Sequence, residues 1–183
     1  MKKIIVGFIA FSIALSMSAC QALNSTVMES ESVQEETKAE TQPYSYEGIT
    51  LDFPVGYTFT TLDDGSVMAQ FGEKQNVTQV ITFGKFDGKS EPMTQEAIQN
   101  SFMENLKKNA DSISEMKDFT EYQVDGYVAQ TFRYDYTQKG VTINYIQDNV
   151  YLDDKVVWIS LGATNSNDFS AVEKIHNSLR VKG

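Results

Sequence analysis

The sequence predicts an α+β fold over residues 44–183, in which an antiparallel β-sheet is flanked by helices as an α/β/α sandwich. Three observations lead to this prediction. Apolar and polar side chains alternate in several short runs, as they do in half-buried strands. Two longer segments repeat apolar side chains every three or four residues, as amphipathic helices do. The order is strands, helix, strands, helix, which favours a sheet with helices packed on it.

The first 19 residues have the layout of a secretory signal peptide. Lys2 and Lys3 precede an apolar stretch from Ile4 to Met17. A membrane-spanning helix takes about 20 residues, so this stretch is too short to span and has the length of a signal-peptide core. Cys20 follows and is the only cysteine. A single cysteine can form neither an internal disulfide nor a thiolate zinc cluster.

The residues around Cys20 resemble the lipobox of bacterial lipoproteins, where an apolar residue and two small residues precede the lipidated cysteine. Here they are Met17-Ser18-Ala19-Cys20, with Met17 where leucine is usual. The resemblance implies cleavage before Cys20, a diacylglyceryl thioether on its sulfur and often an acyl chain such as palmitate on its amino group. Two chains hold a protein stably to a bilayer. The predicted location is a cell membrane, on its extracellular or periplasmic side. The alternative is an ordinary signal peptide with a chance cysteine.

Residues 20–43, which begin with the lipidated cysteine, are predicted to form a disordered acidic linker. The segment holds five glutamates against one lysine and has no aromatic side chain. Such a composition cannot bury enough apolar surface to offset the entropy lost on ordering. We therefore expect a solvated tether between membrane and domain, with an acidic partner-binding peptide as the alternative.

The first half of the domain is predicted to contain four strands and a helix. Ile49, Leu51 and Phe53 alternate on one face of the first strand, over residues 46–53. Turns at Pro54-Val55-Gly56 and Asp63-Asp64-Gly65 separate the later strands. These are predicted over residues 57–61, 66–71 and 77–86. A helix over residues 94–110 follows, with an apolar stripe of Ile98, Phe102 and Leu106.

The second half is predicted to contain two hairpins and a closing helix. Asp125-Gly126 makes a two-residue turn between strands at 119–124 and 127–137. Strands at 141–152 and 155–163 follow, and apolar side chains at consecutive positions from Val156 to Ile159 indicate a central strand covered on both faces. The last helix carries a stripe of Phe169, Val172, Ile175 and Leu179.

The domain resembles the PsbP/Mog1-like superfamily, including its small bacterial lipoproteins. The matching features are Gly48-Ile49 followed by Phe53-Pro54-Val55-Gly56-Tyr57, the hairpin opened by Gly126-Tyr127, and the closing helix from Phe169 to Leu179. Tyr57 departs from the family's usual tryptophan. The resemblance implies a largely non-enzymatic protein that holds partners or assists assembly of envelope or membrane complexes. A fold does not by itself transfer a function.

Charge and residue counts exclude several classes of function. The formal net charge of −10 would repel phosphate backbones, so nucleic-acid binding is not expected. His176 is the only histidine, which excludes sites that need two imidazoles. The paired carboxylates Asp63-Asp64 and Asp153-Asp154 suit turns better than calcium sites. No phosphate-binding loop or nucleophile elbow is present, and no cofactor or metal site is predicted.

A few side chains remain as candidates for a binding surface. Arg133 is predicted to pair with Asp135 on the sheet face, with a clamp for a ligand carboxylate as the alternative. His176 is predicted to lie at the surface or rim. Six tyrosines lie in predicted strands, where they suit packing and also interfaces. They are Tyr122, Tyr127, Tyr134, Tyr136, Tyr145 and Tyr151.

These observations support three hypotheses about function. The first is a membrane-anchored, non-catalytic module that binds or helps assemble an envelope protein. The second is a lipoprotein that binds a small ligand or lipid in a cleft between sheet and helix. The third is a hydrolase with an unfamiliar site. The sequence favours the first, and it leaves the partner, the oligomeric state and the type of envelope open.

Overall fold

The structure is a computed structural model and describes residues 40–73 and 76–182. The predicted signal peptide, Cys20 and nearly all of the predicted linker lie outside the described residues. Within these ranges the α+β fold is confirmed: antiparallel strands dominate, and helical segments pack on both faces of a large sheet.

The large sheet has eight antiparallel strands. Six of them lie side by side in the order β3-β4-β5-β10-β9-β8. Both β6 and β7 pair with the free side of β8. The strands are β3 (Thr58–Thr61), β4 (Val67–Glu73), β5 (Asn76–Asp87), β6 (Ser112–Ile113), β7 (Lys117–Val124), β8 (Tyr127–Gln138), β9 (Val141–Tyr151) and β10 (Lys155–Ala163).

The predicted central strand is confirmed. β10 pairs with β5 on one side and with β9 on the other. Val157, Ile159 and Leu161 point to one face of the sheet and are fully or almost fully buried. On the other face Val156 is buried and Trp158 is half-buried, so the strand is fully covered on one face and partly covered on the other.

A three-stranded sheet and a helix cover one face of the large sheet. The small sheet has the order β1-β2-β11 and consists of β1 (Thr41–Tyr46), β2 (Ile49–Pro54) and β11 (Arg180–Val181). It packs with helix α3 (Ser166–His176) on the large sheet. The buried apolar side chains between these layers form the α3-side core, which includes Phe53, Phe83, Ile159, Val172 and Ile175.

An interrupted helix covers the other face. It consists of α1 (Gln95–Ile98), a π-helical turn (Gln99–Met103) and α2 (Glu104–Lys107). Its contact with the sheet forms the second core, which includes Ile98, Met103, Phe132, Tyr134 and Tyr145. None of the helices in the described residues is long and apolar enough to cross a membrane.

Two features of the N-terminal half differ from the prediction. In place of the single first strand predicted over residues 46–53, the structure has a hairpin: β1 begins at Thr41, and the chain turns at Glu47-Gly48 into β2. Residues 41–43 of the predicted linker therefore belong to the small sheet. In β1 only Tyr44 and Tyr46 pack against the core, and Tyr44 stacks on Phe59 with ring centroids 4.1 Å apart.

The predicted helix stripe is also only partly right. Ile98 is buried, but Met103 is the second fully buried side chain, while Phe102 and Leu106 are half-buried. A π-helical turn adds one residue to the repeat, which moves the inward-facing position from Phe102 to Met103. A regular period of 3.6 residues cannot anticipate that shift.

Candidate functional site

A buried carboxylate holds the end of α3 to the sheet. Asp148 lies in the middle of β9 and is fully buried. Its Oδ2 is 2.8 Å from Nδ1 of His176, in the last turn of α3, and the hydroxyl of Tyr122 on β7 donates to its Oδ1 at 3.3 Å. Each carboxylate oxygen thus has a partner from a different element.

The pairing changes the protonation of His176. Burial lowers its pKa, but the hydrogen bond and the charge of Asp148 act in the opposite direction and leave the pKa raised above its usual value. The side chain is 19% exposed. His176 is therefore less exposed than predicted, because a carboxylate 28 residues away in sequence provides it with a buried partner.

Arg133 lies beside this pair. The prediction that it pairs with Asp135 is wrong. Its Nη2 donates to Oε1 of Glu173 on α3 at 2.8 Å, and its Nε is 3.8 Å from a carboxylate oxygen of Asp118. Asp135 instead pairs with Lys117 at 3.1 Å. Helix α3 packs on the sheet and brings the carboxylate of Glu173 to Arg133, whereas Asp135, two residues along the same strand, pairs elsewhere.

Four half-exposed residues form a continuous surface here, which we call the α3 face: Arg133, Phe169, Glu173 and His176. The guanidinium carbon of Arg133 lies 5.4 Å from the centroid of the Phe169 ring, within cation–π distance. Arg133 is 39% exposed and Glu173 is 35% exposed. The surface is therefore fixed by internal contacts and still open to solvent.

The strand tyrosines mainly pack. Tyr134, Tyr145 and Tyr151 are buried, and the rings of Tyr134 and Tyr145 stack with centroids 5.2 Å apart. Burial raises the pKa of both. Tyr122, Tyr127 and Tyr136 are half-buried. None of the six is fully exposed, so packing accounts for them better than a tyrosine-lined interface.

A second polar network, which runs from the interior to the surface, anchors the start of α3. Tyr57 donates to Oε1 of Gln79, whose Nε2 donates to Asp168 at 2.7 Å. The backbone N–H of Asp168 donates to Oδ1 of Asn165, the N-cap of α3, at 3.0 Å. The hydroxyl of Tyr57 therefore helps to hold the start of α3 in place.

The paired aspartates are turn residues, as predicted. Oδ1 of Asp64 accepts from the backbone N–H of Ser66 at 3.0 Å. Asp153 and Asp154 lie in the exposed turn between β9 and β10. Within the described residues, no group of three or more histidine, cysteine, aspartate and glutamate side chains could hold a metal ion.

A small cavity lies in the large sheet and is lined by strand residues and Thr164, whereas the alternative prediction is a ligand cleft between sheet and helix. The strand residues include Val80, Ile143 and Gly162, and the cavity has a volume of about 10 Å³. That is room for roughly one water molecule, so a small organic ligand does not fit in it.

Comparison with solved structures shows the PsbP/Mog1-like fold. The solution structure of cyanobacterial PsbP (CyanoP) from Synechocystis matches with a TM-score of 0.62 and 16% identity, covering 83% of this chain and 98% of that one. The Saccharomyces cerevisiae Ran-binding protein Mog1p matches with a TM-score of 0.53 and 12% identity, covering 79% and 96%.

A third match is LpqN of Mycobacterium tuberculosis, described as involved in cell envelope biogenesis. It has a TM-score of 0.52 and 14% identity, and the match covers 80% of this chain and 93% of LpqN. No protein-family model matches the chain, and no curated protein matches it. At these identities the likeness establishes the fold and no more.

Proposed function

We propose that this chain is a non-catalytic protein-binding module, held on the outer side of a cell membrane by lipid on Cys20. The observation that carries the proposal is that the side chains best suited to chemistry are paired with one another. His176 is bound to Asp148 and Arg133 to Glu173. Such contacts suit a fixed recognition surface.

The α3 face is the surface we propose for the partner. Arginine and aromatic side chains are enriched among the residues that contribute most to binding energy, and here Arg133 and Phe169 lie together. Their internal contacts reduce the entropy lost when a partner binds. The same fold occurs in a Ran-binding protein and in a protein of envelope biogenesis, which is consistent with a binding role but names no partner.

The anchor is tested with Cys20→Ser in the full chain. We expect the wild-type chain to stay in the membrane fraction after a high-salt wash, because lipid insertion does not depend on ionic contacts, and the variant to be released. Ser18→Ala, which keeps a small residue before the cysteine, is the matched control. A Cys20→Ser chain that remains in the washed membrane would contradict the anchor.

The partner is tested with a photo-crosslinking residue at Ser170, which is exposed on α3. We expect a defined product with one envelope protein in intact cells, and its loss on adding Arg133→Glu. The control places the same crosslinker at Lys107, exposed on α2. Equal products from both positions, or none that reproduces, would refute the α3 face as the binding surface.

Absence of catalysis is proposed as well and needs its own measurement. The full chain is screened against ester, phosphate and glycoside substrates beside a His176→Gln variant. We expect no turnover above background from either protein. Turnover that the wild type shows and the variant lacks would overturn the proposal.

A further inference from the structure

Trp158, the only tryptophan, is not part of either core. It is half-buried in β10, on the sheet face that carries the interrupted helix, since the alternate residues Val157 and Ile159 belong to the α3-side core. The aromatic side chains of the second core do not include it. Core packing therefore does not explain why a large aromatic ring lies in the middle of the sheet.

The neighbouring strand β5 leaves space for the indole ring to lie against its backbone. Gly84 pairs directly with Trp158 across β5 and β10. A Cβ at position 84 would come within 2.1 Å of the indole ring, closer than atoms can approach. The ring therefore lies over the backbone of β5 in the space that a side chain would fill, and glycine is required beneath it.

Two hydrogen-bond donors, one on the ring and one beside it, have no partner among the described residues. Asn149 pairs with Trp158 on the β9 side, where directly opposed side chains are about 5 Å apart. Neither indole Nε1 nor Nδ2 of Asn149 has a partner within the described residues, although each buried side-chain nitrogen and oxygen there has one. Neither donor is therefore completely buried.

The Asn149 amide is held in place by a neighbouring side chain on β9. Its Oδ1 accepts from Nε2 of Gln147 at 3.3 Å, and Gln147 is 1% exposed. Ser160 in turn donates to Oε1 of Gln147. The buried amide of Gln147, itself bound by Ser160, thus fixes one end of Asn149, so the donor group of Asn149 is positioned before any ligand arrives.

The sheet positions that border the ring carry no charge. On this face, the sheet positions next to Trp158 carry only hydroxyl, amide and apolar groups; they are Thr82, Gly84, Phe86, Gln147, Asn149, Tyr151, Val156 and Ser160. A phosphate or carboxylate would find no cation among them, and burying it uncompensated would be costly. The set suits a neutral ligand with one apolar face and several oxygen acceptors.

We propose that Trp158 and Asn149 form a binding site for a neutral hexopyranose unit of an oligosaccharide. The C–H face of the sugar ring packs on the indole, and its hydroxyl or ring oxygens accept from Nε1 of Trp158 and Nδ2 of Asn149. The site lies on the opposite side of the large sheet from the α3 face, so it stands independently of the proposed protein partner.

The test uses the fluorescence of the single tryptophan in the full chain, purified in a detergent without sugar headgroups. Maltohexaose, cellohexaose and chitohexaose are titrated separately to millimolar concentration. We expect at least one of them to shift the emission saturably, because the sugar displaces water from the indole, and calorimetry to give a matching affinity. No heat and no emission change with all three sugars would overturn the proposal.

Variants separate this site from other binding. Asn149→Ala should weaken the affinity about five- to tenfold, the effect of one hydrogen bond, while the matched control Asn167→Ala, exposed in α3, should leave it unchanged. Trp158→Phe, followed by calorimetry, should weaken it about tenfold or more. Sugar affinity that survives both Asn149→Ala and Trp158→Phe would place binding elsewhere and refute the site.

Discussion

The two faces of the large sheet are held by different chemistry. On the α3 side, charged groups cross between layers: Asp148 binds His176, and Arg133 binds Glu173. On the side of the interrupted helix, the buried polar side chains are amides, phenols and the hydroxyl of Thr82, none of which carries a charge. Gln130 accepts from Tyr151 at 2.8 Å and donates to the backbone carbonyl of Met93 at 2.8 Å.

This difference should make one face sensitive to pH and the other insensitive. A histidine–carboxylate pair changes charge near neutral pH, whereas glutamine does not titrate and burial moves tyrosine still further from neutrality. Substitutions on each face can break or sharpen this contrast.

Asp148 and Gln147 are consecutive residues of β9 that point to opposite faces, which makes them a matched pair. Asp148→Ala should lower the free energy of unfolding by about 4 kcal/mol, because it removes the fully buried carboxylate that both His176 and Tyr122 bind. Gln147→Ala should cost about 2 kcal/mol, since only neutral hydrogen bonds are lost. Urea unfolding measures both, and equal losses would contradict the comparison.

Met103→Ala tests the π-helical turn. Removing a fully buried methionine side chain should cost about 3 kcal/mol. Leu106→Ala, at a position that a regular helix would bury but which is only half-buried here, should cost about half as much. If Leu106→Ala were the more damaging change in urea unfolding, the segment would be a regular α-helix.

The contribution of His176 to stability should depend on pH. Its pKa is raised in the folded state, so its stabilising effect is fully present below the unfolded value of about 6.5 and is lost as pH rises through the folded value. The difference in unfolding free energy between wild type and His176→Gln should be larger at about pH 5.5 than at about pH 9.

Tyr145→Phe on the other face is the control for this titration. Burial raises the pKa of Tyr145, so its hydroxyl stays protonated across the same pH range and the variant should differ from wild type by a constant amount. A gap for His176→Gln that widened with rising pH would show that the sign is wrong.

Arg133→Gln should have the smallest effect. Its pairs with Glu173 and Asp118 are half-exposed, and such pairs contribute about 0.5 kcal/mol. A double-mutant cycle with Glu173→Gln isolates the pair, and added salt should reduce the coupling. A coupling as large as the loss from Asp148→Ala would mean that the α3 face is buried in the folded chain.

Much of the fold could be predicted because its signals are local. Two-residue turns at Asp125-Gly126 and near Lys139-Gly140 fix hairpins between neighbouring strands, and in both turns the first residue also has a positive φ, 48° for Asp125 and 52° for Lys139. Alternation fixes the faces. Consecutive apolar residues in β10 identify the centre of the sheet.

What could not be predicted depends on contacts between distant residues. β1 is a mostly polar strand, and only its pairing with β2 makes it part of the domain. β11 is two residues long. The partners His176 and Asp148 lie on different elements, as do Arg133 and Glu173, and no spacing along the chain brings them together. The polar site beside Trp158 follows from strand register, which the sequence leaves unspecified.

The position of β10 has a consequence for how the chain acquires its structure. The strand at the centre of the large sheet follows nearly all the others along the chain, yet β5 needs it as a neighbour. During synthesis, β3, β4 and β5 emerge long before the strand that joins them to β9. Such long-range pairing slows folding. We therefore expect the sheet to close in one late step, after residue 163 has become available.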